Sequence, residues 1–124
     1  MDKLERLFDM QAELNRQIGV RTEAMDEAER AKWLLNYVRA MSQELAELTD
    51  AVPWKWWARY QKFDQQNAVV ELIDLLHFLI SACQVMGLSA DDVFRIYMQK
   101  NAVNIARQKD GYQTKQDDDC QHIG

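Results

Sequence analysis

Only four glycines and one proline serve a chain of 124 residues. Tight reversals draw heavily on these two residue types, so a chain this poor in them has few places to turn. Gly19, Pro53, Gly87 and Gly111 separate segments long enough for helices. Within those segments apolar residues recur every three to four positions, and none alternates apolar and polar side chains over a strand's length. The expected fold class is therefore all-α, a four-helix bundle protomer.

The first helix is expected from Asp2 to about Ile18, with Leu4, Leu7, Phe8, Leu14 and Ile18 at helical spacing and Gly19 as its stop. Asp26 followed by Glu29 resembles a capping box. It opens a long segment whose stripe is Leu34, Tyr37, Val38, Met41, Leu45, Leu48 and Val52, ended by Pro53. Trp54, Trp56 and Trp57 then fall on a loop or short turn. A third helix is expected from about Asp64 to Met86, and a fourth from Ser89, with Asp92 as its capping partner, to Asp110. Between Ala68 and Met86 only Glu71, Asp74, His77, Ser81 and Gln84 are polar, so the third helix is expected to be the central, mostly buried element. Residues 1–112 form the expected domain, and 113–124 a polar tail expected to be mobile.

Composition narrows the function classes. With 48% hydrophobic and 28% charged residues the chain matches a single globular domain. The apolar runs are interrupted every few residues, so no membrane-spanning segment is expected. The start, Met1-Asp2-Lys3-Leu4-Glu5-Arg6, has no apolar core of a secretion signal, which makes a cytoplasmic location the expectation. A net charge of −5 argues against a protein that coats nucleic acid. Cys83 and Cys120 lack metal-ligand spacing and read as reduced thiols.

The chemistry-bearing residues are acidic. Glu44-Leu45-Ala46-Glu47 and Glu71-Leu72-Ile73-Asp74 each place two carboxylates at spacing three, on one helical face. No lysine or arginine lies between Phe63 and Phe94, so Glu71 and Asp74 have no countercharge on their own helix. If the two helices face each other, carboxylates about 5 Å apart repel by roughly 3 kcal/mol at an effective dielectric near 20. Such a cluster either raises pKa values or recruits a hard divalent cation. The competing reading is a solvated stripe, although such stripes ordinarily mix charge signs. His77 reads best as a hydrogen-bonded histidine at a helix interface. A di-iron centre needs more histidines than His77 and His122 supply.

Lys100, Asn104 and Arg107 share one face of the fourth helix, with Asn101 beside them and Tyr112 just past Gly111. Cations belong near a helix C-terminus for dipole reasons alone. Two asparagines in a helix interior have no such structural benefit, which favours a polar ligand. On the first helix Gln11 and Asn15 continue the line of Leu4 and Phe8 with amides. They are either boundary residues or a pair that reads a base edge. The tryptophans are either a cover for an aromatic ligand or anchors of a subunit interface.

Taken together, these residues resemble the all-α nucleoside triphosphate pyrophosphohydrolases, the superfamily of the MazG proteins and the dimeric dUTPases. The resemblance rests on Glu44-x-x-Glu47 followed by Glu71-x-x-Asp74. It is extended towards the dimeric dUTPase branch by Gln11-Ala12-Glu13-Leu14-Asn15, by Pro53-Trp54-Lys55-Trp56-Trp57, and by Tyr97-x-x-Lys100-Asn101-x-x-Asn104-x-x-Arg107-x-x-x-Gly111-Tyr112. An apolar third helix and exposed tryptophans favour a homodimer, and the short chain makes composite active sites between its protomers the expectation; the resemblance implies a nucleotide substrate split into a monophosphate and diphosphate. Glu44, Glu47, Glu71 and Asp74 would hold Mg2+, with Mn2+ as a substitute, and activate a water. Lys100, Asn104, Arg107 and Tyr112 would contact the phosphates. Gln11, Asn15 and Trp56 would read the base, and Phe78 would lie under the sugar. The substrate implied is dUTP; another pyrimidine or non-canonical nucleotide is the alternative, because the chain is shorter than many dimeric dUTPases. A helical interaction module is the reading from a different class.

Overall fold

Each helix begins where a side chain takes over N–H groups that its first turn cannot pair internally. Asp2 Oδ1 accepts from the Glu5 N–H at 2.8 Å and opens α1, Lys3–Gln17. Asp26 and Glu29 form the expected capping box at the start of α2, Glu27–Asp50. Asp64 caps α3, Gln65–Val85, through the Asn67 N–H, and Ser89 with Asp92 builds a second capping box for α4, Ala90–Lys109. A computed structural model describes residues 1–111, 120 and 122–124. No strand occurs among the described residues, and the chain is all-α. A single 3-10 turn at Thr22–Ala24, absent from the sequence reading, joins α1 to α2.

The chain divides into two units, Met1–Gly87 and Leu88–Gly124. Gly87, at φ 77°, ends the first in the left-handed conformation that side chains with a Cβ avoid. Within that unit α3 is the shared partner, packed against both α2 and α1. A core of Tyr37, Ala82 and Val85 forms between α2 and α3, with Met25, Trp33, Leu34, Met41 and Phe78 packed around it. Trp33 and Tyr37 lie with ring centroids 6.0 Å apart, and Tyr37 and Phe78 6.2 Å apart. This pairing sets the antiparallel register. About two turns beyond Tyr37 on α2 comes Glu44, and about two turns before Phe78 on α3 comes Glu71.

α3 is less buried than the sequence reading expected. Glu71 and Ser81 are buried, whereas Val69, Leu72, Leu76 and Leu79 are 59%, 53%, 39% and 51% exposed. The helix is thus not mostly buried in this chain. Its polar line faces α1 and α2, and a strip of branched apolar side chains stands open. By length and composition α3 is also the one helix among the described residues that could cross a membrane, contrary to the sequence reading. The few polar residues interrupting it fall on a single side, so its mean hydropathy stays high. That side carries ionisable groups packed against neighbouring helices, an arrangement that answers their cost in apolar surroundings.

Candidate active site

The register of α2 and α3 brings acidic side chains together. Carboxylate oxygens of Glu44, Glu47 and Glu71 all lie within 4.8 Å of one another. Spacing three on α2 puts Glu44 and Glu47 on adjacent turns of the same flank, and α3 delivers Glu71 opposite them. Glu71 is buried, Glu44 half-buried and Glu47 exposed, so the cluster opens to solvent on one side. Asp74, half-buried, follows one turn along α3 and is outside this threesome.

Three carboxylates this close cannot all stay ionised without compensation. A hydrogen bond with Glu71, loss of solvation and the neighbouring Glu47 push the Glu44 carboxyl up to about 7. Oε2 of Glu44 and Oε2 of Glu71 are buried with no hydrogen-bond partner among the described residues. A buried acceptor left in this condition costs more than a satisfied one contributes. An all-oxygen donor set with unused lone pairs fits a hard divalent cation such as Mg2+, which Glu44, Glu47 and Glu71 could hold with Asp74 close by along α3.

A second polar system ties α1 to α3. Ser81 Oγ donates to the His77 carbonyl at 2.9 Å and accepts from Asn15 Nδ2 at 3.1 Å. Asn15 Oδ1 accepts from Gln11 Nε2 at 3.1 Å, and Gln11 Oε1 meets His77 Nδ1 at 2.5 Å. Gln11 and Asn15 are 6% and 3% exposed, so they are interior amides and not boundary residues. Ser81 is also the hydrogen-bond partner of Tyr37, whose hydroxyl burial holds above its ordinary pKa. Gln84 Nε2 adds a bond to the Phe8 carbonyl at 2.8 Å. His77 is thus the interface histidine that the sequence suggested. Ser81, read from the sequence only as part of a polar stripe, is the node of the network. Its spacing of four from His77 was the available signal.

The remaining site residues lie on α3, on the tryptophan loop and on α4. Phe78 packs beside the Tyr37 core. Trp56 is 86% exposed, its ring edge-to-face with Trp57 at 4.6 Å, and Trp57 in turn meets Trp54 at 5.8 Å. The loop that carries them is closed at its base by the Asp64 N–H donating to the Ala51 carbonyl at 2.8 Å. Gln61 braces its interior, accepting from the Lys55 N–H at 3.0 Å and donating to the Lys55 and Ala58 carbonyls. In the second unit Asn104 is exposed, Lys100 half-buried and Arg107 buried. Lys100 Nζ lies 2.9 Å and Arg107 Nη2 3.8 Å from Cys120 Sγ, and the Lys100 hydrogen bond leads the causes that lower the Cys120 pKa. Tyr112 lies outside the described residues, as do residues 113–119 of the tail.

With this geometry in place, comparison with known proteins decides the family. A family model described as dUTPase matches residues 3–84 and 80–112. The chain belongs to this dUTPase family. Among curated relatives, a dCTP pyrophosphatase of Enterobacteria phage T4 is 28% identical over 81 residues, covering 65% of this chain and 40% of the relative. A dCTP pyrophosphatase of Enterobacteria phage LZ5 is 38% identical over 71 residues, covering 48% and 41%. A T4 DNA replication protein is 26% identical over 70 residues, covering 56% of this chain and 15% of its own length. The chain therefore spans about two-fifths of the pyrophosphatases it matches. No solved structure matches.

Proposed function

We propose that this dUTPase-family chain hydrolyses a pyrimidine deoxynucleoside triphosphate, dUTP or dCTP, to its monophosphate and diphosphate. The observation that carries this reading is the convergence of Glu44, Glu47 and Glu71 from two helices, with two buried carboxylate oxygens left unpaired. Mg2+ at these residues, with Mn2+ as a substitute, supplies positive charge that neutralises phosphate oxygens. Glu47, the exposed member, is the base that takes a proton from the attacking water. Water oxygen bonds to the β-phosphorus, the bond from that phosphorus to the α–β bridging oxygen breaks, and the monophosphate leaves with the electron pair. The resemblance assigns phosphate contacts to Lys100, Asn104, Arg107 and Tyr112, and the sugar to Phe78. Gln11, Asn15 and Trp56, the last in its exposed loop, are assigned to read the base.

A homodimer belongs to the same proposal. The open strip of Val69, Leu72 and Leu79 on α3 is apolar surface that a second copy buries, and a site shared between protomers gives each nucleotide its second wall. As an enzyme of the nucleotide pool it acts in the cytoplasm.

The test is diphosphate release from dUTP, dCTP and the other deoxynucleotides, with and without Mg2+, for the wild-type chain and Glu44→Gln. Release that requires Mg2+ and is lost in Glu44→Gln is the expected result. Absence of diphosphate from every nucleotide overturns the reading. Mg2+-independent binding of a protein partner would favour an interaction module instead.

A further inference from the structure

The loop between α2 and α3 reverses the charge of the chain. Residues 53–63 hold five aromatic side chains and three cations, Lys55, Arg59 and Lys62, while all 20 acidic residues lie elsewhere. Distant charges are largely screened beyond about 8 Å at physiological ionic strength, so the loop presents a cationic patch on a molecule of net charge −5. Its rings stand in water: Tyr60 is 98% exposed, and Trp54, Trp56, Trp57 and Phe63 are exposed with it. Gln61 braces the backbone from inside, and the bond from Asp64 to Ala51 shuts its base. A fixed frame therefore holds these rings outward, and a partner that meets them finds the surface already formed.

A hollow of about 340 Å³ opens in this loop, with Trp54, Lys55, Tyr60 and Lys62 in its walls and Asp50 as the acidic member of its lining. Aromatic and ammonium groups thus share one site. Nζ of Lys55 stands 5.7 Å from the centre of the Trp54 ring, a cation beside a π face. Trp57 is nearly perpendicular to both Trp54 and Trp56, at 88° and 89°, so neither contact is a flat stack. Arg59 extends the positive charge beyond the hollow, whose lining does not include it.

We propose that this loop binds single-stranded nucleic acid, with unpaired bases against Trp54 and Tyr60 and backbone phosphates at Lys55, Arg59 and Lys62. Bases and phosphates alternate along such a strand. Aromatic and cationic side chains alternate along the loop, as Trp54-Lys55-Trp56, Arg59-Tyr60 and Lys62-Phe63. A lipid surface fits less well, because the cations interrupt the rings and leave no continuous apolar wedge to insert. A duplex hides the faces of its bases, and a lone nucleotide leaves Arg59 without a phosphate. The patch is one loop long, so it grips a strand locally and does not coat it, in keeping with the net charge. No residue of the acidic cluster takes part, and the proposal stands apart from the hydrolase reading.

Fluorescence anisotropy of the full chain tests this without turnover. The probes are labelled oligodeoxythymidylate and oligouridylate of about 12 nucleotides, within the length such sites span, with unphosphorylated ends. One or both should bind in a salt-sensitive manner, and the probe that binds names the source of the strand. Lys55, Tyr60 and Lys62 are exposed, so their substitution leaves the core intact. Lys55→Gln with Lys62→Gln should reduce the slope of log affinity against log salt by about 1.4, two phosphate contacts at about 0.7 each. Tyr60→Ala should weaken binding about tenfold through the lost stacking. Excess dUTP or dCTP with Mg2+ should leave the strand bound. Binding of neither probe, equal binding of a duplex, an unchanged salt slope or displacement by the nucleotides overturns the proposal. Binding to phosphatidylglycerol vesicles in place of the oligonucleotides overturns it too.

Discussion

Glu44 has a pKa displaced far enough for its protonation to report on the whole cluster. Its carboxyl titrates near 7 in the folded chain against an ordinary 4.5, so the folded state binds the proton more tightly than the unfolded state does. Stability from this group is complete below 4.5 and is lost as pH rises through about 7. In metal-free protein the Tm should fall between pH 5 and pH 8, Glu44→Gln should remove that part of the decline, and Mg2+ should offset it. Thermal melts across the range check this; a flat wild-type profile argues against a proton shared with Glu71. Tyr37→Phe tests the other polar system. Losing the bond to Ser81 should cost about 1 kcal/mol in urea unfolding. The meeting of Glu44, Glu47 and Glu71 was legible in the sequence because spacing three on a helix fixes a common face, whereas Asp74, expected with them, falls outside the threesome. The Asn15–Ser81 bond joins residues 66 positions apart, and no local period reports such a pairing.

Helix limits were legible at the scale of elements because capping side chains and glycines act locally. Asp26, Asp64 and Ser89 mark starts in the structure as they do in the chain. Asp26→Ala should destabilise the first unit by about 1 kcal/mol, with the m-value unchanged, as loss of a single N-cap does. The exposure of the apolar side of α3 was not legible. Hydropathy ranks side chains by their preference for burial, but a helix with few polar residues can bury those few when they find partners. Glu71, Ser81 and Gln84 turn inward because α1 and α2 supply carboxylates, amides and a carbonyl for them to meet. Their apolar neighbours turn outward as a geometric consequence.

For the whole molecule, that outward strip is the feature to break. Leu72→Asp combined with Leu79→Asp should produce a monomer by analytical ultracentrifugation and abolish diphosphate release, whereas an active monomer refutes a site shared between copies. The acidic cluster and the tryptophan loop are joined through the chain but are held separately. The bond between the Asp64 N–H and the Ala51 carbonyl clamps the base of the loop, and Glu47 and Glu71 are placed by the helices on either side of that clamp. Insertions or replacements among residues 53–62 can therefore accumulate without disturbing the acidic cluster. A lineage built on this frame is free to rebuild its loop while inheriting its acidic cluster intact.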